Sequence, residues 1–554
     1  MSTDANSSAS APRVAHFREI TLWPVQLMPM HEGVQIQRHW KYLNDPASPA
    51  LWKEVVDGFT DDPSRFDECH YKEFVTFLPY VQRFLYGEGA NAGIDPESTR
   101  SRLRLFRRYD VAQARISFPG DEQMHTFEVA RVELCFFHDI DVAILAVEIS
   151  AQDLPLTTAL DTLYRLGRAY PTHWEHGGRG GHCAERVEWL SADGRVLAVS
   201  DYEDRNRYLS FVSRYRVPCV AAHWEYLVRP LVLDHSDQRG ILRYREIESQ
   251  RMPSLSYLAL DDVTRLTRGD LVRLGLVMRP GDSQTLPCSE RFLQDFEFRY
   301  CYDRHWDERA AHAGESTRFM CNGQAFTVLG NAADPFFVDP DNGMLGQFRH
   351  QYFLLCLIAH LHKAALLMLS DRLVVALNRL DIRRPDSIRA FKRSIRQTSE
   401  ILLRFTHRYW FHAVSDQAQA RDLFKMWSMH LNTDDLYDEV RQEIQDMAHY
   451  LDSDSLRRQA DTVVRLTVVT TFGLIGTVAT GFLGMNLIAA ADQPLWTKVF
   501  YFLLVFIPTT VLTLYTVVKS KRLSEFLEAL SDERLTRQDK LDILVSVWKR
   551  RKRG

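Results

Sequence analysis

The sequence predicts an α+β domain followed by long stalk helices and a C-terminal two-helix transmembrane hairpin. Three features carry this prediction. The first 340 positions hold β-rich runs broken by turn residues, positions 341–462 show long helical periodicities, and two charge-free apolar runs lie near the end. With 554 residues, 45% hydrophobic and 25% charged, the chain is long enough for two or more domains that bury real cores. Its 68 basic and 72 acidic residues create no field of the kind that marks nucleic-acid binding, the local exception being Lys549-Arg550-Arg551-Lys552-Arg553. The eight cysteines include no C-x-x-C pair, as expected of reduced thiols inside a cell.

Residues 1–15 are polar, with no apolar run behind a basic start, and read as a disordered tail rather than a secretory signal. Residues 16–340 read as a cytosolic α+β domain, partly antiparallel. Phe127 to Ile149 holds two β-rich runs around His138-Asp139-Ile140-Asp141, and Val187 to Val199 centres on Asp193-Gly194; both are hairpin signals. Leu156 to Leu166 has helical spacing between them.

Residues 341–462 read as a helical layer and a stalk. Amphipathic patterns cover about Leu345 to Leu380 and Pro385 to Ala413. After Asn432-Thr433, the acid-rich Asp434-Asp435-Leu436-Tyr437-Asp438 starts a helix that continues through Val440, Ile444 and Met447. Unbroken to Gly484 it would span about 75 Å at 1.5 Å per residue, with Ser453 and Ser455 as candidate interruptions.

Residues 463–486 and 499–518 form the predicted spans, joined by an extracytoplasmic loop, 487–498, and followed by a basic cytosolic tail, 519–554. No charged residue lies between Arg465 and Asp492 or between Lys498 and Lys519, and a hydrocarbon core needs about 20 helical residues. Arg457, Arg458 and Arg465 precede the hairpin and Lys519, Lys521 and Arg522 follow it, so both termini are expected in the cytoplasm. Pro508 marks an expected kink in the second span. The basic tail suits anionic lipid headgroups.

The first span is patterned. Gln459, Val463, Leu466, Thr470, Leu474 and Thr477 fall in one narrow arc at 100° per residue, alternating neutral polar with bulky apolar groups. Lipid makes no demand for Thr467, Thr470, Thr471, Thr477 and Thr480, although a threonine also bonds back to its own helix, and both roles stay open. Gly473, Gly476 and Gly481 offer small surfaces for close helix contact. Two helices cannot enclose a pore, so a pore-lining strip requires a ring of copies.

A C-terminal two-span hairpin behind a large cytosolic domain, with Gly484-Met485-Asn486 closing the first span, resembles the CorA family of magnesium channels. The resemblance covers about Asp434 to Arg522. It implies a homopentameric funnel whose first spans line the pore, with Gly484, Met485 and Asn486 at the outer mouth and Asn486 meeting the hydrated ion. It also places Thr477, Leu474, Leu466 and Val463 at pore-facing positions. Leu483 stands where the family commonly has an aromatic, the mid-span proline is absent, and Asp492 replaces an acidic cluster in the loop.

The chemistry is coherent. Magnesium gives up water reluctantly, so a fast site recognises the hydrated ion, and an amide oxygen accepts hydrogen bonds from its waters without the grip of a carboxylate. Gly484 is expected to end the helix cheaply and turn carbonyls toward the axis. The expected cargo is hydrated Mg²⁺, with Co²⁺ and Ni²⁺ as further candidates, at a bacterial-type inner (cell) membrane. By the resemblance, Asp434, Asp435, Asp438, Asp452 and Asp454 are candidate intersubunit magnesium sensors, helix capping being the alternative for the first three. His173, Glu175, His176, His182 and Cys183 surround the glycine-rich 177–181 loop as a zinc or cobalt candidate, against a solvated loop whose spacing matches no familiar site. That loop lacks the Lys-Ser/Thr of a phosphate-binding loop. No nucleophile stands with a base, so neither enzymatic activity nor a resident cofactor is expected. Two alternatives remain: a zinc-transporting relative, against which Met485 argues, and a non-conducting membrane-anchored sensor or assembly protein.

Overall fold

The computed structural model describes residues 12–28, 38–43, 51–55, 68–87, 101–121, 123–307, 316–381, 384–488, 494–500, 502–512 and 515. Contacts divide the chain into two units, Met1–Ile444 and Gln445–Gly554.

The first unit is mixed α+β, built on a sheet with 14 strands among the described residues. Its strands are β1 (Arg13–Met28), β2 (Lys53–Glu54), β3 (Leu103–Arg108), β4 (Gln113–Ser117), β5 (His125–Phe137), β6 (Val142–Pro155), β7 (Arg186–Leu190), β8 (Val196–Val199), β9 (Val232–Leu233), β10 (Arg243–Glu246), β11 (Ser254–Leu260), β12 (Cys301–Trp306), β13 (Ser316–Cys321) and β14 (Ala325–Asn331). The main order is β12-β13-β14-β11-β1-β6-β5-β4-β7-β8. Pairing is antiparallel except at β11–β14 and β9–β10.

Both expected hairpins form. β5 and β6 pair antiparallel around the turn at His138–Asp141, and β7 and β8 around Asp193-Gly194, where Gly194 takes the φ of +81° that a side chain would resist. The helix expected at Leu156–Leu166 runs Leu156–Arg165. β1 starts at Arg13, inside the stretch expected to be tail, because β6 offers it a partner along its full length from Arg13 opposite Pro155.

The helices expected to form a separate layer instead complete this unit. The core helix Phe353–Asn378 packs on β1 and β6 and is buried almost all round. An amphipathic pattern was expected here, but Pro385–Arg408 and Ala418–Leu431 cover the side that would otherwise meet water. Pro385–Arg408 does show one apolar face, burying Phe391, Ile395, Thr398, Ile401, Leu402 and Phe405 at spacings of four, three, three, one and three. Long-range ion pairs fasten the layer: Arg408 donates to Asp139 at 2.7 Å, Arg372 pairs with Asp141, and Lys363 stands 3.4 Å from Glu248.

The stem helix runs unbroken from Thr433 to Ile488, 56 residues. Ser453 and Ser455 do not interrupt it, and Gly484 does not end it. A glycine inside a helix costs only about 1 kcal/mol, too little to stop one that continues into Leu487 and Ile488.

Among the described residues, two helices are found long and apolar enough to cross a membrane, Met344–Asn378 and Leu495–Leu512. The first has 83% of its apolar window buried and is the core helix with its lead-in. The second has none of its apolar window buried and starts four residues before the expected Val499. Residues 1–11, the loop residues 489–493 and the basic tail 516–554 lie outside the described residues.

Candidate functional site

The predicted strip lies on the stem helix within the second unit. Gln459 to Thr477 is 18 residues, five full turns at 3.6 per turn, so its first and last members point the same way. All six positions are exposed, with Val463 at 63%, Leu466 at 63% and Leu474 at 67%. The covered side is elsewhere. Val468 is buried, and Val469, Gly473, Gly476 and Thr480 are partly covered along a row about 90° round the helix from the strip. Contact with Leu495–Leu512 occurs at Gly476, where an added Cβ would lie 2.8 Å from the methyl of Thr509. A small residue thus lets the two helices approach, and the strip stays free of both.

On the second helix, Leu495, Trp496, Phe500, Phe502, Leu504 and Ile507 are all more than half exposed. Leaving such side chains in water forfeits about 1.5–3 kcal/mol each, so an apolar surrounding must meet them.

The threonines do both things that their chemistry allows. Thr477 Oγ1 donates to the Gly473 carbonyl at 2.9 Å, Thr470 to Thr467 at 2.9 Å, and Thr467, Thr471 and Thr480 bond back likewise. Each hydroxyl spends its proton on its own helix, which satisfies the donor in an apolar setting. Its lone pairs remain acceptors, so Thr470 and Thr477 add neutral oxygen to the exposed strip.

Gly484, Met485 and Asn486 lie within the stem helix, with their side chains outside those described. At the other end, Asn432 in the left-handed conformation closes the preceding helix, and Thr433 shares a 2.7 Å hydrogen bond with Ser428. Asp434 and Asp435 occupy the first turn and, with Asp438, are exposed; Asp452 and Asp454 have side chains outside those described. Among the described residues no three His, Cys, Asp or Glu side chains are grouped to hold a metal ion. Asp434 and Asp435 place favourable negative charge at the start of the stem helix.

The histidine loop is partly knitted into the domain. The His173 and His182 rings are 5.1 Å apart, Tyr164 hydrogen-bonds His182 Nδ1, and His176 is exposed. Cys183 is fully buried, and burial pushes its thiol up to about 12.

One charged assembly escaped sequence reasoning. Glu148 on β6 is wholly buried and meets Arg131 at 2.7 Å, Arg18 at 2.8 Å and Arg349 at 3.0 Å. Burial alone would raise its pKa, yet Arg131, Arg349 and Arg18 together hold it below the ordinary carboxylate value. The available signal was a glutamate interrupting the apolar run Val142–Ile149. Its role is to join the sheet to the lead-in of the core helix.

Comparison with protein-family models, with curated proteins and with solved structures finds no match to this chain.

Proposed function

We propose that this protein is a homopentameric channel for hydrated divalent cations, Mg²⁺ first and Co²⁺ or Ni²⁺ next, in a cell membrane with both termini cytoplasmic. The observation that carries the proposal is the strip from Gln459 to Thr477. It is left uncovered by the helix packed at Gly476 and lies on the same continuous helix as Gly484-Met485-Asn486.

Five strips around an axis would form successive rings. Leu466, Leu474 and Val463 narrow and dewet the path, while Thr470 and Thr477 present acceptors to the water shell of the ion. With both termini inside, the stem helices point their C-terminal ends outward, and the carbonyls there contribute about half a negative charge each at the outer mouth. Asn486 adds a neutral acceptor there. A membrane potential of 100 mV, negative inside, contributes about 2.3 kcal/mol per charge and twice that for a divalent ion, so no nucleotide hydrolysis is required.

Proteoliposome uptake against a panel of Mg²⁺, Co²⁺, Ni²⁺ and Zn²⁺ tests the proposal. Mg²⁺ flux is expected, with Asn486→Ala abolishing selectivity while the purified ring keeps its mass. Uptake confined to Zn²⁺ would favour a zinc-transporting relative. No uptake of any ion, with Asn486→Ala silent in every assay, would favour a membrane-anchored sensor.

A further inference from the structure

The first unit contains a cavity of about 440 Å³ at the root of the stem helix, within the size range of small-molecule sites. We infer that it binds a primary amine with an apolar body, whose ammonium group meets Asp434 and Asp435 while the body packs against Trp410, Phe424 and Met429.

The walls select the body. Trp410, Phe411 and Phe424 are buried, and Met429 stands at the rim, 55% exposed. The lining is mixed, aromatic on one side and polar on the other, and so suits a ligand with one apolar and one polar end.

The polar atoms select the charge. His362 lies in the wall with its Nε2 2.6 Å from the Tyr409 carbonyl. A carbonyl only accepts, so that nitrogen carries the proton; the Phe411 amide approaches the same atom at 3.5 Å, too far to compete. Burial keeps the ring neutral, with its pKa pushed down to about 4, which leaves Nδ1 as a bare acceptor. Asp434 and Asp435 add two carboxylates, and Ser428 and Asn432 side chains that can accept as well. Against these stands one ammonium, Lys425. Among the described residues neither carboxylate nor Lys425 forms an ion pair, and all three are exposed. The balance is one net negative charge with surplus acceptors, which suits a donor-bearing cation. A bare divalent metal is the poorer occupant, since no three ligating side chains come together in the described residues.

The location implies a use. Asp434 and Asp435 form the first turn of the helix that carries Gly484-Met485-Asn486, so an amine held there grips the stem directly. This regulatory half rests on the channel proposal; binding itself does not.

Calorimetry on the detergent-solubilised full-length protein, with phenethylamine as probe, separates the two. Saturable binding is expected, with its neutral isostere 2-phenylethanol at least about tenfold weaker. Asp434→Asn with Asp435→Asn should weaken the amine by a similar factor, and Lys425→Ala should tighten it by removing a like charge; all three positions are exposed, so folding is not at stake. Equal binding of the alcohol, binding unchanged in the double variant, or weaker binding in Lys425→Ala would each overturn the site. Displacement of the probe by millimolar MgCl₂ to the same extent as by a second amine would overturn the choice of occupant. In proteoliposomes the probe should change ion flux in the wild type and not in the double variant. Flux unaffected at saturating amine would overturn the regulatory half, whereas absence of flux altogether would count against the channel and leave the calorimetry standing.

Discussion

Two buried glutamates show how much a single residue depends on its neighbours. Glu19 on β1 is fully buried, and neither of its side-chain oxygens has a hydrogen-bond partner among the described residues. Burial pushes its pKa up to about 8, with Arg251 pulling only partly the other way. Its folded pKa therefore lies above the unfolded value near 4.5, so the folded state holds the proton more tightly. Stability from this group is full below about pH 4.5 and is lost as pH rises toward 8. Glu19→Gln should accordingly match the wild type near pH 4.5 and exceed it at pH 8.5, as read by thermal denaturation. Equal melting at the higher pH would exclude an ionising Glu19. Glu148 has the opposite sign. Its pKa is held down by three arginines, so its contribution is present above the unfolded value and fades as pH falls. Glu148→Gln should cost roughly 3–5 kcal/mol at pH 7 in chemical denaturation, because Arg131, Arg18 and Arg349 lose their counter-charge. The difference was not legible in the sequence, where both are glutamates within apolar strands. Arg18 and Arg349 lie 130 and 201 residues from Glu148, and only folding brings them together.

At the scale of elements, local signals were read well. The turns at His138–Asp141 and Asp193-Gly194 and the helix at Leu156–Arg165 appear where their residues demand, since turn chemistry and periodicity act over a few positions. Element ends were less legible. The stem helix passes both serines and the glycine of its terminal motif because each costs less than continuing the helix gains. The hairpin contact at Gly476 gives a further expectation. Gly476→Leu would drive a side chain into Thr509 and should separate the two helices, abolishing flux and assembly while the melting of the sheet unit stays unchanged. In the core helix Leu366 is fully buried, and Leu366→Ala should cost about 2–5 kcal/mol in the unfolding of that unit.

At the scale of the whole molecule, the proposed channel requires several copies of the exposed strip. If five strips face an axis, Leu474→Cys places thiols from neighbouring chains side by side, and mild oxidation should give cross-linked species on a non-reducing gel. Leu504→Cys on the second helix, 57% exposed, should face lipid and remain monomeric under the same treatment. Native mass spectrometry should return five chains; a monomer, or cross-linking at Leu504 alone, would contradict the proposed ring. Conduction is then the property of the assembly rather than of any one hairpin.

The sequence by itself determined the α+β class, the hairpins, the charge-free runs and the six-residue strip, because each is written in local periodicity and composition. Tertiary structure decided what those patterns serve. Met344–Asn378 and Leu495–Leu512 are both apolar enough to span a membrane, yet the first is largely buried between sheet and helices and the second is largely exposed. The three helices from Phe353 to Leu431 likewise join the sheet instead of forming a layer of their own, so that the division between units falls after Ile444. The physical reason is that an apolar run records only a preference to leave water. Whether protein or another apolar phase receives it depends on partners that lie far away along the chain.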